Sequence, residues 1–422
     1  MDKPTIRSLL TKDLILFLVG LTFAEATRAM TTVQIPVFLR EIGASVGEVG
    51  LFFTISMILP IVLRVWGGWF SDVTGRLRTI WLGSLAGVLA YIPYALAHRW
   101  EIALLGPALL AIATALIYPS YQSYIADTIP ESARGRVYGM GRTFLNVAWI
   151  LAPPAGGYLA EHFGTRSMFL TAFLLYLIAS IIFFFLHRRS AAPDSGASPR
   201  KANWSSLSKS FREIMPIAFA GGLLTWILVA EGIKEFSLRL SFDLMPVYLS
   251  DIAGISKQGI GWMDGLHGIA WVLASPIGGW FSDRTSERHG FTFGLILTLS
   301  MPLIFALSAG VWGFALSWIL LGIGVAFLDP AYNALVARGT PSHLRGIAYA
   351  LIATLVGIIA LPSPWIGSRM WEALGPQIPF FFSFGLGSLA LLPAWFRLRI
   401  KQTESGPLPA AAGTGEDPLR AE

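Results

Sequence analysis

The sequence predicts an all-α membrane protein with twelve transmembrane helices, arranged as two homologous six-helix bundles. Composition is the first reason: 54% of the 422 residues are hydrophobic and only 13% are charged, whereas soluble domains carry about 25% charge. The second reason is that apolar stretches of about 20 residues or more, enough to cross ~30 Å of hydrocarbon, recur along the chain. The third is an internal repeat of the sequence. Together these observations exclude a soluble globular protein.

Short charged clusters divide the apolar stretches into twelve predicted spans. We number them spans 1 to 12, at residues 13–39, 46–71, 78–98, 101–127, 137–160, 165–187, 214–249, 257–282, 290–309, 311–337, 345–368 and 376–398. The predicted organisation is an N-terminal half (1–187), a linker rich in Ser, Pro, Ala and basic residues (188–212) and a C-terminal half (213–401). The Gly-, Pro-, Ala- and acid-rich tail (402–422) is predicted to be disordered.

The basic residues predict the orientation of the chain in the membrane. Lys and Arg concentrate near both termini and in the linker, while the opposite loops hold only Arg40, Arg99, Arg166, Lys257 and Arg369. The positive-inside rule therefore places both termini and the linker in the cytoplasm of a multi-pass cell-membrane protein. Because these charges flank the spans, the net charge of +6 does not indicate a nucleic-acid partner. Cysteine is absent, so no disulfide or thiolate metal site is predicted.

The second half of the sequence repeats the first. The block Gly67-Gly68-Trp69-Phe70-Ser71-Asp72 recurs 211 positions later as Gly278-Gly279-Trp280-Phe281-Ser282-Asp283. The same offset pairs Pro153 with Pro364 and Glu161 with Glu372, and one residue of slip pairs Glu25 with Glu235. Six identical consecutive residues in register indicate a parallel duplication, in which span 1 matches span 7. Such duplications build transporters that rock about a site at the interface of the halves, near the bilayer midplane.

The loop between spans 2 and 3 carries a recognisable motif, and a second lies between spans 4 and 5. The first motif is Gly68-x-x-x-Asp72-x-x-Gly75-Arg76-x-Arg78, and a shortened copy, Gly279-x-x-x-Asp283-Arg284, follows span 8. The second motif is Tyr124-Ile-Ala-Asp127, followed by Pro130 and Arg134-Gly135-Arg136. This combination resembles the signature of the major facilitator superfamily over essentially the whole chain. Val73 departs from the family pattern, which often has Arg there. The resemblance implies the major facilitator fold.

The first motif predicts a cytoplasmic gate. Asp72 lies at a helix end, where a carboxylate can meet the positive N-terminus of a neighbouring helix. The resemblance implies that this neighbour is span 11, starting near Arg345, and that Arg76 pairs with Asp127. Gly68 and Gly75 would permit close helix approach and a tight turn. The competing interpretation is a topology anchor, which needs the arginines but not the Asp-Gly pattern.

Ionisable residues inside two spans are the main candidates for proton and substrate binding, since charges at membrane depth are costly. Glu25 and Arg28 lie three residues apart on one face of span 1. Span 7 carries a stripe of charges about 18 Å long that cannot face lipid: Glu231, Lys234, Glu235, Arg239 and Asp243. The duplication predicts that Glu25 and Glu235 lie opposite each other across a central cavity.

Two interpretations of these charges stay open. In the first, Glu25 or Glu235 takes and releases a proton, and Arg28 or Lys234 tunes that exchange. In the second, Glu231–Lys234 and Glu235–Arg239 are static pairs within one helix, and Asp243 lies at an aqueous end.

Other polar residues are weaker candidates. Asp264 and His267 share a face of span 8 and could carry protons or simply complete hydrogen bonds. A second group could line the cavity or serve as interfacial anchors: Tyr118, Tyr121, Asp329, Tyr332 and Asn333. Arg142 is predicted to snorkel toward the cytoplasm. Trp149 and Trp271 rank lowest, because most tryptophans are expected in the interfacial belts.

The leading functional hypothesis is a proton-coupled exporter of small, partly apolar compounds that works as a monomer. The segment Ala152-Pro153-Pro154-Ala155-Gly156-Gly157 resembles an element of proton-antiporting exporters, although small-residue packing explains most of it. The alternatives are a proton symporter importing a sugar or organic anion, for which Arg28 and Lys234 would suit a carboxylate, and a non-transporting receptor or scaffold. No nucleotide-binding loop, metal motif or catalytic arrangement is found, so neither a cofactor nor an enzyme activity is predicted.

Overall fold

The computed structural model describes residues 11–63, 70, 74–189 and 204–398, and these ranges contain helices and turns but no strand. Spans 1 to 6 form the N-terminal half, and three of them are broken into two helices. Their bounds are Lys12–Thr32 with Ile35–Glu41, Val46–Leu63, Arg76–Leu89 with Tyr91–Leu96, Trp100–Ala103 with Leu105–Thr128, Glu131–His162, and Thr165–Arg189. Residues 190–203 of the predicted linker and the whole predicted tail lie outside the described residues.

The C-terminal half repeats this order. Spans 7 to 12 consist of Leu223–Arg239 with Met245–Asp251, Lys257–Arg284, Glu287–Leu307, Val311–Gly339, Arg345–Ala360 with Ser363–Leu374, and Ile378–Ser388 with Leu391–Phe396. Short 3₁₀ turns, Phe242–Leu244 and Ser342–Leu344, lie within span 7 and before span 11. Polar side chains cap several of these helices: Thr11 Oγ1 accepts a hydrogen bond from the Leu14 N–H (3.2 Å), and Ser256 Oγ accepts one from the Gly259 N–H (3.1 Å).

Span 7 starts later than predicted. A separate helix, Trp204–Phe219, begins inside the range predicted as the linker, and it meets the rest of span 7 at an angle of 75°. The break falls at Gly221, whose φ of 76° is a left-handed conformation that glycine adopts readily. Hydropathy alone could not locate this break, because apolar residues continue on both sides of it.

Nine helices among the described residues are long and apolar enough to cross a membrane, and a tenth is added if the bent pair is counted as one span. Spans 5 and 8 are not among them, although they contain 32 and 28 residues. Both are rich in glycine, proline and polar residues, and they pack extensively against each other across the two halves. Their lower apolarity therefore has a structural explanation, since much of their surface faces protein rather than lipid.

The duplication predicted from sequence is visible as matched contacts between the halves. A Cβ on Gly261 of span 8 would overlap the carbonyl oxygen of Pro153 in span 5, and a Cβ on Gly50 of span 2 would overlap Ser368 and the carbonyl oxygen of Pro364 in span 11. Pro153 and Pro364 are duplicates, as are Gly50 and Gly261. Spans 5 and 8 and spans 2 and 11 therefore form two equivalent interfaces in which backbones approach closely.

The two halves touch mainly at one end of the bundle. We call this the distal end; it carries the loops after spans 1, 5, 7 and 11. Here Arg40 Nε lies 2.7 Å from Asp251 Oδ2, and Gln34 Nε2 donates to the carbonyl oxygen of Lys257 (2.9 Å). The hydrogen bonds and ion pairs formed between pairs of described residues from different halves all lie on the distal side. The halves are therefore closed distally, with the polar cavities lying between them.

Candidate functional site

Two cavities lie between the halves and share one wall. The first, which we call the Glu25 cavity, has a volume of about 510 Å³ and involves spans 1, 4, 5, 7, 8 and 10. The second, the Glu231 cavity, has about 560 Å³ and involves spans 2, 7, 10 and 11. Glu235, Arg239 and Asp329 line both. The charged stripe of span 7 thus runs along the boundary between the two cavities.

Glu25 is the centre of a polar cluster in the wall of the first cavity. Its side chain is 8% exposed, and its Oε2 lies 2.7 Å from Arg28 NH2. The Tyr118 hydroxyl donates to Oε1, and the Trp149 indole N–H donates to Oε2 (3.2 Å). The Arg28 guanidinium also lies over the Trp149 ring, 4.7 Å from its centroid. Spans 1, 4 and 5 therefore converge on one carboxylate.

The geometry of this cluster follows from the local sequence. Glu25 and Arg28 are one helical turn apart, so both point into the cavity from the same face of span 1. A buried carboxylate is stabilised by hydrogen-bond donors and a cation, and Glu25 has both. Protonation of Glu25 would weaken its attraction for Arg28, whose side chain is 36% exposed. The cluster can therefore couple a change in charge to a movement of Arg28 in the cavity.

The charges of span 7 form pairs within the helix and also line the cavities. Lys234 Nζ lies 2.6 Å from Glu231 Oε2, and Arg239 Nε lies 3.0 Å from Glu235 Oε1. The static pairs predicted as one alternative are present. Asp243 does not lie at an aqueous end as that alternative predicted: it is buried, lies 3.8 Å from Arg239 and lines the Glu231 cavity. Asp243 lies in the 3₁₀ turn Phe242–Leu244, between the two helices of span 7.

As the duplication predicts, Glu25 and Glu235 line the same cavity. Asp329 lines both cavities, and Tyr332 lines the Glu231 cavity, where its ring meets that of Tyr349 at 6.0 Å. His267 lines the Glu25 cavity, and its Nε2 is buried with no hydrogen-bond partner among the described residues.

Three predicted cavity residues do not line either of these cavities. Tyr121 is buried in the core of the N-terminal half, where its ring stacks on Phe17 with centroids 5.7 Å apart. Asp264 is buried beside the Trp318 indole, so it and His267 have different surroundings although they are one turn apart. Asn333 is exposed and donates to the carbonyl oxygen of Asp329 (2.8 Å). Residue spacing on a helix predicts a shared face, but the width of the cavity decides which residues reach it.

The structure adds cavity residues that sequence reasoning ranked low or placed elsewhere. Trp149 holds the Glu25 carboxylate, and Trp271 lines the same cavity. Arg142, which was expected to snorkel, is exposed and lines the Glu25 cavity, with its guanidinium 6.0 Å from the centroid of the Trp271 ring. Asn146, one turn along span 5, also lines this cavity. The sequence signal that could have identified this wall of the cavity is the spacing of Arg142 and Trp149, two helical turns apart on a span with few other charges.

The predicted gate is described only in part. Gly68 and Asp72 lie outside the described residues, so the contact of Asp72 with span 11 stays a prediction. Gly75 has a φ of 90°, which confirms the tight turn. The predicted contact between Arg76 and Asp127 is confirmed, with Nε 3.1 Å from Oδ2.

The remaining gate candidates lie at the end of the bundle opposite the distal end. Arg78 is exposed near the start of span 3, Asp283 is exposed at the end of span 8, and the helix of span 11 begins at Arg345. Within the described parts of the chain, no group of three or more His, Cys, Asp or Glu side chains is arranged to hold a metal ion.

Comparison with known proteins gives a consistent family. The model of the Major Facilitator Superfamily matches residues 17–234 and 235–420, two consecutive matches that together cover most of the chain. The multidrug resistance protein MdtG of Salmonella dublin is 22% identical over 86% of this chain and 90% of its own length. The multi-drug resistance efflux pump PmrA homolog of Lactococcus lactis is 24% identical, with 85% of this chain and 88% of the relative covered.

Solved structures agree on the fold. A peptide transporter POT in complex with sulfate superposes with a TM-score of 0.72 at 14% identity, covering 94% of this chain and 96% of that chain. A D-xylose-proton symporter superposes with a TM-score of 0.68 at 15% identity, covering 91% and 97%. At these identities the likeness shows the shared fold.

Proposed function

Since this chain belongs to the major facilitator superfamily of membrane transporters, we propose that it is a proton-coupled exporter of small, partly apolar compounds that works by alternating access. The observation that carries the proposal is the Glu25 cluster: a buried carboxylate at membrane depth, held by Arg28, Tyr118 and Trp149 in the wall of a cavity between the halves. Carboxylates in such positions serve proton relays in pumps and transporters.

The coupling step follows from the contacts of Glu25. While the carboxylate is ionised, it holds Arg28 at 2.7 Å against Trp149. A proton on Glu25 removes the charge that attracts the guanidinium, which leaves Arg28 free to turn toward the cavity. A substrate in the cavity changes the surroundings of both groups. Proton binding and substrate binding are therefore linked through Arg28, as antiport requires.

The walls of the Glu25 cavity favour a partly apolar substrate. Alongside the charged groups they present aliphatic and aromatic side chains, namely Leu145, Trp149, Leu238, Phe242, Trp271, Leu321 and Val325. Such walls can bind apolar and aromatic parts of different compounds without a specific hydrogen-bond pattern. The relatives named as multidrug resistance proteins support the same substrate class and the direction of export.

We further propose the orientation and gating that the sequence predicts. Both termini are cytoplasmic, so the distal end faces outward and the described arrangement is closed to the outside. The loop after span 2 forms the gate on the cytoplasmic side, where Asp72 meets span 11 and Arg76 holds Asp127. Residues 1–187 and 213–401 act as the two rocking halves, with the linker and the tail of residues 402–422 in the cytoplasm.

Efflux of a fluorescent probe from cells tests this function. Cells that produce the chain are expected to accumulate less ethidium, a permanently charged aromatic cation, than cells that produce the Glu25→Ala variant at the same level. A protonophore should abolish the difference. Equal accumulation in both strains over a panel of apolar compounds would exclude multidrug export through this cavity.

Proton symport of an organic anion is the second candidate, and Arg142 favours it. This guanidinium lies in the Glu25 cavity over Trp271 and forms no ion pair with another described residue. An arginine beside an aromatic ring suits a carboxylate on an apolar body. The two candidates differ in the direction in which protons move relative to substrate.

A further inference from the structure

The distal end contains two carboxylates that each bridge the halves in the same way. Glu161 ends span 5 in the N-terminal half, and its Oε2 accepts a hydrogen bond from the backbone N–H of Lys257, the first residue of span 8 (2.9 Å). Glu372 lies near the end of span 11 in the C-terminal half, and its Oε1 accepts one from the backbone N–H of Gly47, in the first turn of span 2 (2.7 Å). Each carboxylate therefore caps a helix of the opposite half.

The two capping glutamates are duplicates, although the N–H groups that they accept from differ by one position: Lys257 corresponds to Val46, and Gly47 to Gln258. Glu161 and Glu372 are 211 positions apart, and so are Ser45 and Ser256, which precede the two capped helices. Both serines cap their own helix through the side chain, with Oγ 3.1 Å from the N–H of Glu48 and of Gly259. Each glutamate thus caps the first turn of a duplicate helix in the opposite half, one across the interface of spans 5 and 8 and the other across that of spans 2 and 11.

The physical basis of each cap is the unpaired start of a helix. The first N–H groups of a helix have no partner within it, and the helix dipole favours a negative charge there. The site on span 2 is also shaped for the carboxylate, because a Cβ on Gly47 would lie 2.8 Å from both oxygens of Glu372. Since donor and acceptor belong to different halves, each bond exists only while the distal end is closed.

The two copies differ in their surroundings. The Lys257 ammonium pairs with Glu41 and donates to Thr165 Oγ1 (3.0 Å), so it joins span 8 to the end of span 1 and the start of span 6. Its duplicate, Val46, is apolar and makes no such contacts. On that side Arg369 NH1 holds the second oxygen of Glu372 (2.7 Å). The capping carboxylate Glu372 is thus paired with an arginine of its own helix, whereas the Lys257 ammonium pairs with Glu41 and not with the capping Glu161.

We propose that Glu161 and Glu372 are paired latches, positioning residues that hold the distal end closed and are released together when the halves rock. Each carboxylate at an exposed helix N-terminus is expected to bias the closed state by about two- to fivefold. Loss of both charges should raise the population that is open at the distal end by about 4- to 25-fold. The proposal rests on the family fold and on the distal contacts, and it is independent of the substrate and the coupling ion.

Cysteine labelling can measure this opening, because the chain has no native cysteine. Ser368 is fully buried between spans 2 and 11, one turn from Glu372, and serine and cysteine have nearly the same shape. The reporter is Ser368→Cys in full-length protein in nanodiscs, reacted with a membrane-impermeant maleimide. The decisive variant is Glu161→Gln, because Glu161 lies on the other interface. An increased labelling rate at residue 368 then reports movement of the halves rather than a local change.

Two matched controls complete the experiment. Glu101→Gln removes a carboxylate in the short helix Trp100–Ala103 at the start of span 4, where Glu101 pairs with Arg99 of its own half at 2.7 Å. Ser180→Cys is a second buried reporter, which lies inside the N-terminal half and accepts a hydrogen bond from Ser84 (2.9 Å). The expected result with Glu161→Gln is labelling about two to five times faster at residue 368 and unchanged at residue 180.

Three results would overturn the proposal. The first is a labelling rate at residue 368 that stays unchanged with Glu161→Gln and with the double variant Glu161→Gln/Glu372→Gln. Alternatively, Glu101→Gln raises it equally, which indicates a general charge effect at this end. Finally, labelling at residue 180 rises in parallel, which indicates loosening of the fold rather than rocking.

Discussion

Replacing Glu25 by Gln tests the proposed proton site while keeping its shape. The carboxylate accepts hydrogen bonds from Arg28, Tyr118 and Trp149. Glutamine keeps one acceptor oxygen and turns the other into a donor, so at least one of these bonds is lost. A hydrogen bond to a charged group contributes about 1.5–3 kcal/mol. Because the Arg28 side chain is 36% exposed, water replaces part of the loss, and we expect a destabilisation of about 1–3 kcal/mol.

The functional effect of Glu25→Gln should be larger and more selective. A neutral side chain resembles a permanently protonated carboxyl group, so flux driven by a pH gradient should fall at least tenfold, or ~1.4 kcal/mol. Counterflow, which needs no net movement of protons, should survive better. The assay compares both modes in proteoliposomes that contain parent or variant protein at equal density. Equal loss of both modes would indicate a folding or binding defect rather than a loss of coupling.

Glu235→Gln is the matched control, since the duplication makes Glu235 the rival site and it lines the same cavity. Glu235 is 30% exposed and has one ion-pair contact, to Arg239 at 3.0 Å. If Glu25→Gln keeps full pH-driven transport and Glu235→Gln loses it, coupling belongs to span 7. If both keep it, proton coupling through this pair is refuted, and Asp264, His267 and Asp329 are the groups to test next.

Three further predictions concern the gate, the packing of the halves and the linker. Asp72→Asn should shift the protein toward the state open to the cytoplasm while substrate affinity is kept. The labelling rate of single introduced cysteines reports this shift. A loss of substrate binding with unchanged labelling would contradict the gate assignment. Gly261→Ala should strongly impair folding or closure, because its Cβ overlaps the Pro153 backbone. Gly139→Ala should be tolerated, since among the described residues nothing outside its own stretch of helix lies within 4 Å of the added Cβ; thermal unfolding of the two variants compares them directly. Replacing residues 190–203 by a Gly/Ser segment of equal length should leave transport intact. Extending the replacement through residue 212 should reduce transport, because the helix Trp204–Phe219 begins in that stretch. Equal transport by both variants would show that this part of the helix is dispensable.

The sequence predicted the fold well, because the signals for it are long and redundant. Each span is an apolar stretch bounded by charges, and the repeated block at Gly67 and Gly278 makes each half a check on the other. Spans 5 and 8 were found although they are less apolar, since the repeat and the loop charges bracket them. The break at Gly221 was missed, because a helix can turn at a glycine without any change in hydropathy.

The site was predicted less completely, because helical spacing specifies a face and not what that face meets. Glu25, Arg28 and Glu235 were found through the cost of charges at membrane depth. Arg142 was expected to snorkel and was not proposed for the cavity, since sequence gives its depth only roughly and says nothing of the Trp271 ring beside it. Trp149 was ranked low because tryptophan is usually interfacial, and only the folded chain brings its indole N–H to Glu25.

The central claim, that proton movement drives export, is tested most directly by the direction of coupled flux. Parent protein is reconstituted in vesicles with the membrane potential clamped, and ethidium uptake is followed under an imposed pH gradient, with protein-free vesicles as the blank. Antiport predicts that ethidium accumulates in vesicles that are acidic inside, because protons leave as the substrate enters, and that Glu25→Gln abolishes this accumulation. Accumulation only when the outside is acidic would indicate symport, and uptake that ignores the gradient would contradict proton coupling altogether.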